Sequence, residues 1–184
     1  MPIVDVPIYL TIYRADQIDL TMIDLPGMTY YEPGASSGQK INKLIKGMWR
    51  RYISNKNAVI LLTIQATSDY ATSQAIQVAS DERIDSTGHR TLSVITKIDL
   101  TQMNEPVKAL AGGLGFVCVK NRTNEEAERG VTFEQARELE RTFFASRPDL
   151  MALEAENKGL DALMDRLVQI QRKMVLDYRF EFKD

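Results

Sequence analysis

Hydrophobic and polar positions along the chain follow the pattern of an α/β protein. Residues 7–13 (PIYLTIY) alternate between apolar and polar or amphipathic side chains, which predicts a strand with one face less buried. A second strand is predicted over residues 20–23, and the turn at residues 16–19 makes the link between the two strands short. A short link favours antiparallel pairing. The first expected element is therefore an antiparallel strand pair.

A basic amphipathic helix is predicted next, after a loop over residues 27–38 that is rich in Gly, Pro, Ser and Tyr. Apolar side chains recur there at helical spacing, while basic side chains occupy the other faces. The apolar positions are Ile41, Leu44, Ile45, Met48, Trp49 and Tyr52, and the basic positions are Lys40, Lys43, Lys46, Arg50 and Arg51. The pattern favours a surface helix packed on the sheet over a helix that lies on a membrane.

The rest of the chain alternates between strand and helix patterns. The near-continuous apolar run at residues 58–64 predicts a parallel strand buried on both faces, and residues 91–96 and 116–119 predict two more strands. Helices are predicted over residues 69–80, 132–146 and 160–176, the second of them opened by a capping box at Thr132 and Gln135. This alternation predicts an α/β fold with a parallel sheet and right-handed crossovers.

Composition and charge narrow the functional classes. The 184 residues suffice for one domain with a core, and a net charge of -2 predicts no overall attraction to nucleic acid or anionic lipid. The single cysteine, Cys118, lies in an apolar run, which predicts a buried thiol and a reducing setting. The single histidine, His89, lies in a polar turn and is not expected to be a catalytic base. No apolar run approaches the length of a membrane span, and no secretory signal is seen.

The turn after the strand at residues 20–23 carries candidate phosphate-side chemistry. A magnesium–nucleotide site needs a carboxylate near the metal, held directly or through water, and Asp24 would supply it. The backbone N–H of Gly27 would serve the terminal phosphate, because glycine lets a ligand approach closely. Both are candidate catalytic residues, with Asp24 the candidate metal ligand. A purely structural turn after a strand would show the same residues.

The next two strand ends carry candidate base-side chemistry. Asp99, in the run that begins at Thr96 and Lys97, could accept hydrogen bonds from both the N1–H and the exocyclic amine of guanine, which adenine cannot donate. The stem of Lys97 could lie along the base or ribose. Asn121 could contact the base from the following strand end, and Arg122 could stack or point to solvent. The alternative is an ordinary polar exit from a strand.

Taken together, these segments resemble the dynamin family of large GTPases. Residues 20–29 (LTMIDLPGMT) look like that family's phosphate-side motif, and residues 94–100 (VITKIDL) look like its guanine-specificity motif. Residues 119–122 (VKNR) look like its last nucleotide loop. The likeness covers roughly residues 8–175, nearly the whole chain.

The resemblance implies a Ras-like P-loop GTPase sheet with flanking helices, and an activity that binds GTP with Mg²⁺ and hydrolyses it to GDP. Residues 1–176 would form a partial dynamin-type G domain, and residues 177–184 a C-terminal tail. The implied partners are GTP and GDP, a second G domain in a homodimer, and a membrane or the cytoskeleton, but not nucleic acid. The implied location is the cytoplasm, including peripheral sites at membranes.

One departure from the family pattern bears on function. The sequence contains no Gly-x-x-x-x-Gly-Lys-Ser/Thr, so the first strand and the P-loop are expected to be missing. The chain is therefore expected to be a piece of a longer protein or a paralogue with a rearranged sheet. Direct pairing of the Ile23 and Ile60 strands would support the rearrangement. A non-catalytic interaction module that keeps the fold is the alternative function, and a flavodoxin-like domain without nucleotide chemistry is a third.

Overall fold

The computed structural model describes residues 4–13, 15, 19–27, 38–102 and 113–181. The chain divides into two compact units, Met1–Ala58 and Val59–Asp184. Within the described part of the chain, no helix is both long enough and apolar enough to cross a membrane.

The described part of the first unit contains one long helix, α1, at Gly38–Ile53. The predicted amphipathic helix is therefore confirmed, and Ile45 and Met48 of its apolar stripe are buried. The predicted strands at residues 7–13 and 20–23 are wrong, because both segments have neither strand nor helix structure.

The error in these two segments has a physical reason. Alternation of side chains is a local property, whereas a strand exists only when another strand takes up its backbone hydrogen bonds. Their large apolar side chains are exposed, including Ile8 at 96% and Tyr13 at 91%. Because neither segment is a strand, the described residues do not form the predicted antiparallel pair, and the strand at residues 20–23 that a rearranged sheet would need is not formed.

The second unit is built on a parallel sheet, as predicted. Its described strands are β1 (Ile60–Gln65), β2 (Thr91–Thr96) and β3 (Phe116–Cys118), in the order β1-β2-β3. Both pairings are parallel, with Ile64 beside Ile95 and Ile95 beside Cys118. This is the α/β architecture, with parallel strands and flanking helices, that the sequence predicts.

Helices surround this sheet in sequence order. The unit's described α-helices are α2 (Gln74–Ala79), α3 (Asn124–Glu128), α4 (Phe133–Ser146), α5 (Pro148–Met151) and α6 (Gly159–Glu181). Short 3₁₀ turns lie at Tyr70–Thr72, Ile98–Leu100 and Ala155–Asn157. The helix predicted over residues 69–80 is thus two shorter pieces, because the Ser73 side chain caps a new helix there. The predicted capping box is confirmed: Thr132 and Gln135 exchange side chain–backbone hydrogen bonds of 3.2 and 2.8 Å.

The core lies on both faces of the sheet. One face packs Ile64, Ile95 and Phe116 against α4 and α5, and the other packs residues of β2 and β3 against α6. Cys118 is fully buried, and burial raises the pKa of its thiol to about 12, which confirms the predicted core cysteine. The prediction that the strand at residues 58–64 is buried on both faces is wrong for β1. Alternate residues of β1 are exposed, because the cluster beneath α6 does not extend as far as Leu61.

Candidate functional site

Three strands of the second unit end abreast at one edge of the sheet. The Ala66 N–H donates to the Thr96 carbonyl at 2.8 Å, and the Val119 N–H donates to the Ile95 carbonyl at 2.8 Å. The residues that follow β2 and β3 therefore leave the sheet side by side. In open α/β sheets, this carboxyl edge is where ligands bind.

The backbone reverses sharply at Lys97. Its φ and ψ of 56° and 33° lie in the left-handed region, and it is the one non-glycine residue with positive φ in the part of the chain that the structure describes. A conformation of this kind costs about 1–2 kcal/mol in a residue that carries a Cβ. The Lys97 Nζ donates to Gln65 Oε1 at 3.1 Å, so the exposed side chain lies across the end of β1. Strain of this kind is concentrated at functional sites.

Asp99 sits in the 3₁₀ turn that follows this reversal. The turn is anchored by Ile98, which is fully buried, while the Asp99 side chain remains half-buried at the sheet edge. Thr96, at the end of β2, donates its hydroxyl to the Ile64 carbonyl at 3.2 Å. The carboxylate is thus presented from a short turn that is anchored by a buried side chain.

Arg147 stabilises the end of the same turn through a hydrogen bond. Its Nη2 donates to the Thr101 carbonyl at 2.8 Å, and its guanidinium stacks on the Phe143 ring with the Cζ 5.3 Å from the ring centre. Hydrogen bonds to the Asp149 carboxylate raise the pKa of the Arg147 guanidinium, and the negative charge of Asp99 adds to that rise.

The loop after β3 turns two of its side chains inward and one outward. Lys120 Nζ pairs with Glu126 at 3.2 Å, and the Arg122 Nη1 donates to the Val131 carbonyl at 2.6 Å. The Arg122 guanidinium also lies over the Phe133 ring, with its Cζ 4.8 Å from the ring centre. Asn121, between them, is exposed. The Glu126 carboxylate accepts a hydrogen bond from the Thr123 backbone N–H and lies close to the positive charge of Lys120. Both interactions lower the pKa of the Glu126 carboxyl.

The remaining candidates, Asp24 and Gly27, lie in the first unit, in a segment without helix or strand. Both residues are exposed, and no atom lies within 4 Å of the position that a Cβ on Gly27 would take. The segment is tied to α1, because the Trp49 indole N–H donates to the Pro26 carbonyl at 2.9 Å. The structure therefore gathers the five base-side candidates in one unit and holds the two phosphate-side candidates in the other.

A magnesium ion that takes most of its ligands from water and substrate is compatible with the acidic residues that the structure describes. Among the described residues, no three His, Cys, Asp or Glu side chains cluster as metal ligands. Mg²⁺ commonly keeps several waters and takes one or two carboxylates together with substrate phosphates. The single exposed carboxylate of Asp24 fits that mode of binding.

Sequence reasoning missed three residues that hold these segments in place: Trp49, Glu140 and Arg147. In the sequence, Trp49 is only one member of an apolar stripe. Arg147 and Glu140 look like ordinary charged residues of a helix and its end. Only the packed fold shows that Glu140 is 5% exposed and that Arg147 reaches Thr101.

A parallel sheet with flanking helices, and with these turns at the ends of β2 and β3, is consistent with a truncated domain of the Ras-like GTPase class. Within that class the chain belongs to the dynamin family. Residues 1–98 match the family profile described as "Dynamin family", and residues 107–178 match the one described as "Dynamin central region".

Similar proteins come from plants, fungi and animals. The chain is 35% identical over 93% of its length to dynamin-related protein 4C of Arabidopsis thaliana. It is 38% identical over 78% of its length to vacuolar protein sorting-associated protein 1 of Schizosaccharomyces pombe. It is 34% identical over 88% of its length to the interferon-induced GTP-binding protein Mx of Ctenopharyngodon idella. The matches span 25%, 22% and 27% of these relatives, so the chain corresponds to about a quarter of each.

Proposed function

We propose that this chain is the guanine-reading part of a dynamin-like GTPase domain. The observation that carries the proposal is the edge where β2 and β3 end abreast, because it brings the Asp99 turn and the Asn121 loop to the same side of the sheet. Membership of the dynamin family supports guanine as the base.

On the base side, each residue has a distinct role. Asp99 accepts the N1–H and the exocyclic amine of guanine, and a ligand that cannot donate both leaves the carboxylate unpaired. The αL backbone of Lys97 directs its stem along the base or ribose, and Thr96 fixes the strand end beneath it. Asn121 contacts the base from the neighbouring loop, and Arg122 holds that loop through Val131.

On the phosphate side, we assign Asp24 to a water-mediated contact with Mg²⁺ and the Gly27 N–H to the terminal phosphate. When bound, Mg²⁺ neutralises charge on the phosphate oxygens. The Trp49–Pro26 hydrogen bond supports this assignment, since it restrains the backbone directly before Gly27.

The wider activity follows from the family. We infer that the complete protein hydrolyses GTP, forms a homodimer through its G domains, and acts peripherally at membranes or the cytoskeleton. Residues 68–70 follow β1 at the same sheet edge and are candidates for the dimer contact, with the Asp69 side chain accepting the Ala71 N–H at 3.0 Å. Sedimentation with and without a GTP analogue would test the dimer.

The decisive test is binding of a fluorescent GTP analogue to the purified chain with Mg²⁺, competed with GTP and with ATP. We expect displacement by GTP and not by ATP, and loss of binding in Asp99→Ala. Equal displacement by ATP would refute guanine recognition. No binding by a folded chain would favour the alternative, a non-catalytic interaction module that keeps the G-domain fold.

A further inference from the structure

Glu140 is a buried carboxylate that makes none of the proposed contacts with guanine, phosphate or metal. It lies in α4, and its side chain is almost completely enclosed, at 5% exposed. Acidic residues are rarely buried unless they are paired. Among the described residues, Glu140 makes no ion pair within 4 Å; its partners are backbone N–H groups.

The two carboxylate oxygens bridge two segments that are far apart in sequence. Oε1 accepts the Lys120 N–H at 2.8 Å, and Oε2 accepts the Leu160 N–H at 2.8 Å. Leu160 lies in the first turn of α6, where the backbone N–H groups have no partner within the helix and favour a negative charge. Hydrogen bonds to an ionised acceptor are short and strong.

A glycine directly before Leu160 leaves room for the Glu140 carboxylate. Gly159 has a φ of +88°, and a Cβ there would lie 3.3 Å from Glu140 Oε2. The preceding residue, Lys158, forms a parallel bridge with Cys118 of β3. Glu140 thus fastens the start of α6 and the end of β3 to one helix.

Lys120 immediately precedes Asn121, the exposed residue of the last nucleotide loop. Glu140 fixes its backbone, Glu126 fixes its side chain at 3.2 Å, and Arg122 is fixed to Val131 on the other side. Asn121 is therefore the residue of this loop that is left facing solvent.

We propose that Glu140 is a positioning residue for guanine recognition: by holding the Lys120 N–H against the start of α6, it fixes the loop that presents Asn121 to the base. The role of Glu140 in guanine recognition rests on the proposed function, whereas its role in fixing the Lys120 backbone does not. Glutamine at this position would keep the size but replace one acceptor by an amide that cannot accept the second N–H.

The first test is amide hydrogen exchange, measured by NMR without nucleotide. In the wild-type chain, the Lys120 and Leu160 amides should exchange as slowly as the amides of β2. In Glu140→Gln, which keeps one acceptor oxygen, we expect the amide that loses its partner to exchange about tenfold faster while the β2 amides keep their rates. The matched control is Glu138→Gln. Glu138 is an exposed residue of the same helix that pairs with Arg141 at 2.9 Å, and its substitution should change neither the Lys120 nor the Leu160 exchange rate.

Fast exchange at Lys120 in the wild-type chain would overturn the proposal, and this measurement needs no variant. An equal acceleration of all amides in Glu140→Gln would also overturn it, because that result indicates a general loss of stability.

The second test is the affinity for the fluorescent GTP analogue. Glu140→Gln should raise the Kd about tenfold, and the effect should vanish when Asn121 is already alanine, because Glu140 acts through that residue. Additive effects of the two substitutions would refute the link to Asn121. If the wild-type chain binds no guanine nucleotide, the proposed function fails, and the exchange rates still decide whether Glu140 fixes the loop.

Discussion

Two regions with similar strand-like sequence patterns have different structures in this chain. Residues 7–13 of the first unit alternate like a strand yet lie exposed without regular structure. Residues 91–96 of the second unit form β2, which is hydrogen-bonded on both sides and has five buried residues in its six. The difference shows that apolar pattern alone does not make a strand; neighbours on both edges and a cover on each face do.

The largest expected effect comes from making the same substitution in both regions. Ile95→Ala removes a fully buried side chain at the centre of the sheet and should lower the free energy of unfolding by about 2–5 kcal/mol. Ile8→Ala removes a side chain that is 96% exposed and should change it by less than about 0.5 kcal/mol. Urea unfolding measures both values. A similar loss for both variants would mean that the first unit buries Ile8 in solution.

A second prediction uses pH to probe the core of the second unit. Burial raises the pKa of Cys118 from 9.0 to about 12, so the folded chain keeps the thiol proton while the unfolded chain loses it. The contribution of the buried thiol to stability is therefore fully present below pH 9. Between pH 9 and about 12 it is lost by about 1.4 kcal/mol per pH unit. Cys118→Ala should lack this part of the alkaline loss in urea unfolding. An identical alkaline slope in the variant would show that the thiol is accessible.

The smallest expected effect is a change in the free energy of unfolding at Lys97, which can be measured separately from nucleotide binding. Lys97→Gly relieves the left-handed backbone and should raise the free energy of unfolding by about 0.5–1 kcal/mol relative to Lys97→Ala, which keeps the strain. Both variants lose the side chain, so both should bind the GTP analogue more weakly than wild type. Equal stability of the two variants would mean that the residue is not strained in solution.

The sequence predicts the second unit better than the first because most of its signals are local. The strand ending at Thr96 and the capping box at Thr132 depend on residues close in sequence, and both were predicted correctly. Helix α3 was missed although Thr123 and Glu126 form the same kind of box, because five residues are too few to show helical periodicity.

The site shows the same limit. The sequence singles out the Thr96–Asp99 run as a candidate because a strand end with that chemistry is a local motif. The support from Glu140 and Arg147 could not be, since each acts across tens of residues: 20 from Glu140 to Lys120 and 46 from Arg147 to Thr101. The pairing that residues 20–23 would need is likewise not encoded in their own pattern.

The most direct test of the central claim, that Asp99 reads guanine, is Asp99→Asn assayed for both GTP and XTP. Aspartate offers two acceptors, which match the two donors of guanine, whereas asparagine offers one donor and one acceptor, which match the N1–H and C2 carbonyl of xanthine. We predict that the wild-type chain prefers GTP and that the variant prefers XTP, each by a factor on the order of 10² or more. Unchanged GTP preference in a folded Asp99→Asn variant would contradict the account.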